Sequence, residues 1–377
     1  MSAAPVLPRI RQLRAHVLRW PVKTPVRTSF GVMRDRPMVL VEVRDEDGIA
    51  GWGEAWCNFP AVGAEHRARL LESVFAPLVE AAAPATPAET FDRLTATTAV
   101  LAIQSAEPGP IAQCIAGVDI ALWDLAARRA GQPLWRLLGG SDPEVKVYAS
   151  GLNPDGPEVL AATRRDEGHT AFKLKVGFGE DRDLGNLRRM RERLGAGATL
   201  MVDANQAWTL EEAVRMAPLL AEFGLQWLEE PMRADSLLGA WHALASESPV
   251  PLAAGENIAG DAAFDALLAA RAFGVMQPDI AKWGGLTRGL PLARRILAAG
   301  VRFCPHYLGG GVGLLASAHL LAAVGGGGLL EVDANPNPLR SACCGALAKV
   351  EGGRARLGET PGLGVDPDPQ ALRALCR

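Results

Sequence analysis

Three acidic residues recur at nearly equal intervals along the middle of the chain, each at the end of a short apolar run. They are Asp203, Glu229 and Glu256. Three carboxylates at one site would repel one another, and a hard dication with oxygen ligands, such as Mg²⁺, removes that repulsion. The spacing therefore predicts a site for one Mg²⁺ ion. The alternative is that each acid caps the helix that follows its strand.

Two lysines end another apolar run. Lys173 and Lys175 are two residues apart, so on a strand both side chains point to the same face. Each ammonium disfavours the charge of the other, and a lysine whose pKa is lowered in this way can act as a base. The alternative is a pair of exposed lysines at a strand end.

A carboxylate and an imidazole follow two later apolar runs. Asp279 and His306 are predicted to end adjacent strands, on the opposite side of a ring from the lysine strand. A carboxylate bonded to one imidazole nitrogen fixes the tautomer and makes the other nitrogen more basic. The alternative for His306 is a satisfied core histidine. The glycines that follow, at 309–311 and 313, could form a turn that holds a phosphate or carboxylate, or simply a turn.

These residues require a scaffold in which short strands alternate with helices. We predict eight strands, at 145–150, 171–176, 199–202, 225–228, 251–253, 273–277, 302–304 and 329–332. The stretches between them are long enough for one helix each, and 209–212 has the form of a capping box. Eight such units predict an α/β fold, a (β/α)₈ TIM barrel, with the polar residues at the C-terminal strand ends, where barrel enzymes place their active sites.

The first part of the chain has a different pattern. The first 60 residues indicate strands, including 38–43 and 49–52 with a turn between them, and helical periodicity follows at 64–82 and 111–129. We therefore predict an α+β capping domain over 1–130, a catalytic barrel over 131–345, and a C-terminal segment over 346–377 that returns to the cap.

The composition is that of a globular protein. The net charge of −3 has no block of like charges, so nucleic acid and membrane surfaces are not expected partners. The most apolar stretch, 314–324, is too short to span a bilayer, and no signal peptide is evident. The six cysteines lack metal-site spacing and are predicted to be free thiols of a cytoplasmic protein, which we expect to be a homo-oligomer.

Taken together, these motifs resemble the enolase superfamily, in its mandelate racemase/muconate lactonizing enzyme branch. The similarity extends over essentially the whole chain, including 116–124 and 361–364. The motifs that carry it are Lys173-Leu-Lys175, Asp203-Ala-Asn205, Glu229-Glu-Pro231, Gly255-Glu-Asn257, Asp279 before Lys282-Trp-Gly-Gly285, and His306.

The resemblance implies a role for each of these residues. Asp203, Glu229 and Glu256 would be the metal ligands. Lys175 would be the base on one face of the substrate, with Lys173 tuning it or touching the substrate carboxylate. The resemblance also implies that the His306–Asp279 dyad serves the opposite face, which places the chain in the mandelate racemase subgroup, and that Glu331 hydrogen-bonds a substrate carboxylate oxygen.

The expected chemistry is removal of the proton α to a carboxylate. Mg²⁺ would stabilise the resulting enediolate, and two bases on opposite faces permit either racemisation or loss of a β-hydroxyl. By the resemblance we favour dehydration of a sugar acid to a 2-keto acid. A racemase or epimerase of a 2-hydroxy acid and a non-catalytic barrel that binds a small acid remain open. Asn205, Phe30 and Trp56 are the candidate substrate-binding residues, the two aromatics as parts of a lid.

Overall fold

An antiparallel three-stranded sheet forms the first part of the fold. In this computed structural model, which describes residues 5–376, the strands are β1 (Ile10–Arg27), β2 (Val32–Asp45) and β3 (Ala50–Ala55). The predicted turn is confirmed, because the Asp45 carboxylate accepts hydrogen bonds from the backbone N–H groups of Asp47 and Ile49. The long β1–β2 hairpin is a larger element than the alternating pattern indicated.

Four helices follow this sheet; the third packs on the fourth, and the other three contact the strands. They are α1 (Gly63–Leu70) and α2 (Ala76–Glu80), joined by a π-helical turn, then α3 (Pro87–Gln104) and α4 (Pro108–Arg129). The helix predicted over 64–82 is thus interrupted, whereas that over 111–129 is confirmed as α4. Helix α4 is long and apolar enough to cross a membrane, but 89% of its apolar window is buried inside the fold. Helix α4 lies against β3 at a point where the helix and the strand each have a glycine. A Cβ on Gly53 would come within 2.1 Å of the Gly117 carbonyl oxygen.

A curled parallel sheet forms the second part. Its strands are β4 (Glu144–Leu152), β5 (Ala171–Lys175), β6 (Thr199–Asp203), β7 (Leu225–Glu229), β8 (Leu252–Ala254), β9 (Val275–Met276), β10 (Arg302–Phe303) and β11 (Leu329–Asp333). All eight predicted strands are confirmed to within about two residues at each end. The strands pair in chain order from β10 back to β4, and β11 pairs with the other side of β4. Within residues 5–376, no backbone pairing joins β10 to β11, so pairing alone does not close a barrel.

Helices alternate with these strands. They are α5 (Leu134–Leu137), α6 (Pro157–Asp166), α7 (Glu180–Leu194), α8 (Leu210–Ala221), α9 (Leu238–Glu247), α10 (Asp261–Ala270), α11 (Gly285–Ala298), α12 (Gly311–Val324) and α13 (Pro338–Ser341). The predicted capping box is confirmed at α8, where the Thr209 and Glu212 side chains each bond the other's backbone N–H. The six cysteines form no disulfide, as predicted.

The C-terminal segment contacts both parts of the fold. Its strand β12 (Arg354–Arg356) pairs antiparallel with β4, and its helix α14 (Pro369–Leu375) ends the described chain. Asp366, which lies between β12 and α14, accepts a hydrogen bond from the Trp52 indole N–H of the sheet β1–β3 at 2.7 Å. The segment therefore packs on the parallel sheet as well as on the cap.

Buried carboxylates of the cap accept hydrogen bonds from backbone N–H groups of the parallel-sheet unit. Asp119 of α4 accepts from the N–H groups of Leu286 and Thr287 at the start of α11, at 2.7 and 3.0 Å. Glu54 of β3 accepts from the N–H groups of Gly310 and Gly313 at the start of α12, at 2.6 and 2.9 Å. Helix N-termini favour such anions. The glycine-rich turn considered as an anion site thus holds a carboxylate of the protein itself.

Candidate active site

The predicted catalytic and metal-binding residues lie at the C-terminal ends of the parallel strands. Each is buried, because the capping domain lies over this edge of the sheet, and none has more than 9% of its surface exposed. By element they are Lys173 and Lys175 (β5), Asp203 (β6), Glu229 (β7), Glu256 (after β8), Asp279 (after β9), His306 (after β10) and Glu331 (β11).

Lys173 lies at the bottom of the site, completely buried among acids. Its ammonium is 2.6 Å from Glu229 Oε1 and 2.8 Å from Glu331 Oε1. Burial lowers the pKa of Lys173, but these carboxylates raise it more, so that the net pKa lies well above its ordinary value. Lys173 is therefore a fixed positive charge in this arrangement.

Lys175 lies one layer closer to the cap. Its Nζ donates to Asp203 Oδ2 at 2.5 Å. Burial lowers the pKa of Lys175 and so does Lys173, as expected from their spacing, but the Asp203 carboxylate outweighs both and the net pKa is raised. The expectation of a lowered pKa is therefore wrong for this ion-paired arrangement, because the attraction to Asp203 exceeds the repulsion between the lysines.

His306 is held between two carboxylates. Its Nδ1 donates to Asp279 Oδ2 at 2.8 Å, and its Nε2 is 2.6 Å from Glu256 Oε2. Burial lowers the pKa of His306, but Glu256 and Glu331 raise it, and the net pKa lies well above its ordinary value. Asp279 is itself fixed by the backbone N–H of Ala281 at 2.8 Å. The imidazole is therefore oriented as a proton donor at Nε2.

The three candidate metal ligands are close enough to affect one another's ionisation. Burial raises the pKa of Glu229 to about 7, and Asp203 adds to that effect. Burial and Glu256 act to raise the pKa of Asp203, but Lys175 and Lys173 lower it more, so that the net pKa of Asp203 lies below its ordinary value. In residues 5–376, no three His, Cys, Asp or Glu side chains are arranged as a metal cage. Each of the three carboxylates is instead bonded to a lysine or to His306.

The donor chemistry nevertheless fits a hard dication. The three groups are buried carboxylates on consecutive strand ends, and two neighbouring buried oxygens, Asn205 Oδ1 and Glu230 Oε1, have no hydrogen-bond partner among the described residues. Oxygen ligands and water acceptors of this kind are what Mg²⁺ binds. Asp203, Glu229 and Glu256 would hold the ion once the ammonium and imidazole contacts were released.

A cavity of about 200 Å³ opens above these residues, between the sheet and the cap. Lys175, His306 and Glu256 form its floor together with Asn205. Its lining is Thr28, Phe30, Met33, Trp56, Asn58, Phe59, Lys175, Asn205, Gln206, Glu256, Asn257, Lys282, His306 and Leu308. The structure thus brings all three candidate substrate-binding residues to one cavity with the two candidate bases. Three larger cavities occur elsewhere among residues 5–376, and none of these three contains a candidate acid or base.

The lid aromatics differ in how firmly they are packed. Phe30 is 60% exposed and touches Phe59 edge to face, with ring centres 5.1 Å apart. Trp56 is partly buried, its backbone N–H donates to the Ala281 carbonyl, and the Lys282 ammonium lies 4.7 Å from its ring centre. Trp56 is the better anchored of the two lid residues.

Sequence comparison identifies both parts of the chain. The family model for the mandelate racemase/muconate lactonizing enzyme N-terminal domain matches residues 11–139, and that for the enolase C-terminal domain-like fold matches residues 158–371. The chain belongs to the mandelate racemase/muconate lactonizing enzyme family of the enolase superfamily.

Relatives within this family catalyse several reactions. The D-galactarolactone cycloisomerase of Agrobacterium fabrum is 30% identical over 97% of this chain and 98% of its own. The L-talarate/galactarate dehydratase of Salmonella typhimurium is 30% identical over 99% of this chain and 92% of its own. The family membership therefore supports proton abstraction but leaves the specific reaction open.

Solved structures agree over nearly the whole chain. A mandelate racemase/muconate lactonizing enzyme from Bordetella bronchiseptica is 60% identical, with a TM-score of 0.93 over 98% of this chain and 99% of that one. A racemase from Streptomyces coelicolor, solved with bound magnesium, is 29% identical, with a TM-score of 0.84 over 98% of this chain and 100% of that one. Magnesium is thus found in an enzyme of this fold.

Several polar residues of this enolase-superfamily site were missed by sequence reasoning. Gln277 donates to Glu229 Oε2 at 2.6 Å, and Ser150 donates to Glu331 Oε1 at 2.5 Å. Lys282, noted only as part of a motif, reaches the cavity wall. Gln277 and Ser150 lie at or next to the ends of predicted strands, so the rule that found the acids would also have found these two.

Proposed function

We propose that this chain is a Mg²⁺-dependent lyase that dehydrates a hydroxylated acid, such as a sugar acid, to a 2-keto acid. The observation that carries the proposal is that Lys175 and the Asp279-oriented His306 line the same cavity from strands separated by four others in the sheet order. Two proton-transfer groups around one carboxylate-binding site are what α-proton removal and β-oxygen departure require.

In the proposed reaction, Lys175 in its neutral form takes the α-proton, and the electron pair forms an enediolate. His306 donates its Nε2 proton to the β-hydroxyl as the C–O bond breaks, so that water leaves and the enol tautomerises to the keto acid. Bound Mg²⁺ would stabilise the negative charge on the carboxylate oxygens. Glu331, held by Lys173 and Ser150, would in its protonated form donate a hydrogen bond to the substrate carboxylate.

The ion pairs described above have a consequence for this cycle. Lys175 is a poor base while its ammonium is paired with Asp203. Engagement of Asp203 by a dication would weaken that pair and favour the neutral amine, since a neighbouring positive charge disfavours the ammonium. The same argument applies to His306 and Glu256, which are 2.6 Å apart.

We also propose that the parallel sheet is closed into a barrel. Side chains of Tyr148, Met201, Trp227, Val275 and Cys304 pack in one interior cluster with Ala171, Ala253 and, at its edge, Leu329, so that every strand or strand end contributes. The Leu329 backbone N–H is 3.4 Å from Cys304 Sγ, across the unpaired β10–β11 edge. A filled interior of this kind is typical of eight-stranded barrels.

The experiment follows proton exchange and keto-acid formation together. The Mg²⁺-loaded enzyme is incubated in D₂O with a panel of sugar acids and 2-hydroxy acids, read by NMR for α-proton loss and by a carbonyl reagent for keto acid. A dehydratase yields keto acid. Stereochemical inversion without keto acid identifies a racemase, and binding without exchange identifies a non-catalytic barrel.

Single substitutions separate the two faces of the site. With a substrate whose α-proton faces Lys175, His306→Asn should still exchange deuterium while product formation is lost, and Lys175→Ala should do neither. His242→Asn, at an exposed histidine, is the control and should match the wild type. Full turnover by both Lys175→Ala and His306→Asn would exclude the two-base mechanism.

A further inference from the structure

We propose that Gln277 and Trp227 are positioning residues that hold one carboxylate oxygen of Glu229, so that the other oxygen is presented to the metal ion. The inference rests on the proposed function, because it concerns a Mg²⁺ ligand of that site. Gln277 directly follows β9, and Trp227 lies on β7 two residues before Glu229, so that the Trp227 and Glu229 side chains point to the same face of the strand.

The hydrogen bonds to Glu229 are divided unequally between its two oxygens. Oε2 accepts from Gln277 Nε2 at 2.6 Å and from Trp227 Nε1 at 3.2 Å, and the Lys173 ammonium lies 2.7 Å from it. Oε1 accepts from the Lys173 ammonium at 2.6 Å. A carboxylate oxygen has about two lone-pair sites. Oε1 is therefore the oxygen with room for a cation, whereas Oε2 is already fully bonded.

The two uncharged donors to Oε2 are themselves held in place. Gln277 is 1% exposed and its backbone N–H donates to the Ala254 carbonyl at 2.9 Å. Its backbone also packs against Gly255, where a Cβ would come within 2.7 Å of the Gln277 nitrogen. The Trp227 ring is completely buried and packs edge-on against Tyr148, with ring centres 5.4 Å apart. Both donors can therefore fix the position of the carboxylate that they contact.

The chemistry of these donors suits a ligand of a dication. Lys173 also holds Glu229, but its positive charge opposes that of Mg²⁺, so its contact with Oε1 must be released when the ion binds. Amide and indole N–H groups have no net charge, so Gln277 and Trp227 can keep hold of Oε2 while the ion occupies Oε1. Groups that orient a metal ligand in this way typically contribute about 10- to 100-fold to metal affinity.

The test measures the dissociation constant of Mg²⁺ by calorimetric titration of the metal-free enzyme in the absence of substrate. Gln277→Met keeps the size of the side chain but removes the donor, so the dissociation constant should rise about 10- to 100-fold. Trp227→Phe keeps an aromatic ring against Tyr148 and removes only the longer hydrogen bond, so the rise should be about 3- to 10-fold.

A control variant makes the same substitution elsewhere on β7. Gln226 is exposed and lies outside the cavity that holds the candidate bases, so Gln226→Met should bind Mg²⁺ as the wild type does. The melting temperature of each metal-free variant separates positioning from a purely structural role. A structural role would lower the melting temperature and leave the dissociation constant of the folded protein unchanged.

Unchanged Mg²⁺ affinity in both Gln277→Met and Trp227→Phe would overturn the proposal, as would an equal loss in Gln226→Met. If Gln277→Met does not fold, Trp227→Phe decides alone: a dissociation constant raised about 3-fold or more in a folded protein supports the positioning role, and an unchanged one overturns it.

Failure of the proposed function is distinguished by the same titration, because it needs no turnover. If no acid is dehydrated, but the wild type binds Mg²⁺ and Gln277→Met binds it about 10-fold or more weakly, the positioning role is supported although the proposed reaction is wrong. Absence of Mg²⁺ binding by the wild type would overturn both the metal site and the role of Gln277.

Discussion

Replacing Glu54 should loosen the attachment of the cap to the parallel-sheet unit. Glu54 is only 2% exposed, and its two carboxylate oxygens accept from the N–H groups of Gly310 and Gly313. In Glu54→Ala both N–H groups lose their buried acceptor. Each such loss costs about 1–3 kcal/mol. Burial raises the pKa of Glu54, which shows that its charge is itself costly to bury and offsets part of this.

A net loss of about 3 kcal/mol in the free energy of unfolding corresponds to a decrease in melting temperature. At roughly 2.1 cal/mol/K per residue, a chain of 377 residues has an unfolding entropy near 0.8 kcal/mol/K. Glu54→Ala should therefore melt about 4 °C below the wild type. Glu54→Gln keeps one good acceptor, so its decrease should be about half as large.

Calorimetry on the purified enzyme and its variants measures these shifts. Glu46→Ala is the matched control, because Glu46 is an exposed acid in the turn between β2 and β3 and its loss should change the melting temperature by less than about 1 °C. If Glu54→Ala melted within 1 °C of the wild type, the two hydrogen bonds would contribute nothing net and the reasoning would be wrong.

Three further predictions concern pH, the lid and the metal. Burial raises the pKa of Asp119 to about 7, so the folded state holds this proton more tightly than the unfolded state, and the stabilisation present at pH 5 is lost as pH rises. In urea unfolding, the free energy of unfolding of the wild type should fall by roughly 2–3 kcal/mol relative to that of Asp119→Asn between pH 5 and 8. The same dependence of this free energy on pH in both proteins would contradict the prediction. Trp56→Ala should raise KM at least 10-fold with little change in melting temperature, whereas collapse of the melting temperature would make Trp56 a core residue. Chelation should abolish activity, Mg²⁺ should restore it, and Glu229→Gln should remove calorimetric Mg²⁺ binding from a folded protein; full activity in chelator would exclude the carboxylate triad.

The parallel strands were predictable because each is a short apolar run that ends in a polar residue. Both signals follow from one cause: the strand is buried on both faces, and its C-terminal end opens into the site. The candidate bases and acids could be placed by that rule alone. Periodicity predicted α4 and also the helical stretch that α1 and α2 form, but it did not indicate the π-helical turn that joins these two, in which the backbone hydrogen bonds follow the i→i+5 pattern.

Contacts between distant segments were not predictable in the same way. Nothing near Glu54 in the sequence indicates that its partners are Gly310 and Gly313, so the glycine-rich turn could be recognised as an anion site without its anion being known. The prediction that the pKa of Lys175 is lowered was wrong for a related reason. Its neighbour on the strand, Lys173, is visible in the sequence, but Asp203 acts from the next strand and has the larger effect.

The position of β4 determines when this fold can be completed during synthesis. On one side β4 pairs with β5, made shortly afterwards, and at residues 144–146 with β12. On the other side it pairs with β11, which emerges only with residues 329–333. Until then a long strand edge stays open on the nascent chain, and open edges recruit other strands. Ribosomes that stop before residue 329 should therefore release aggregation-prone chains, because the edge of β4 that β11 covers is then still unpaired.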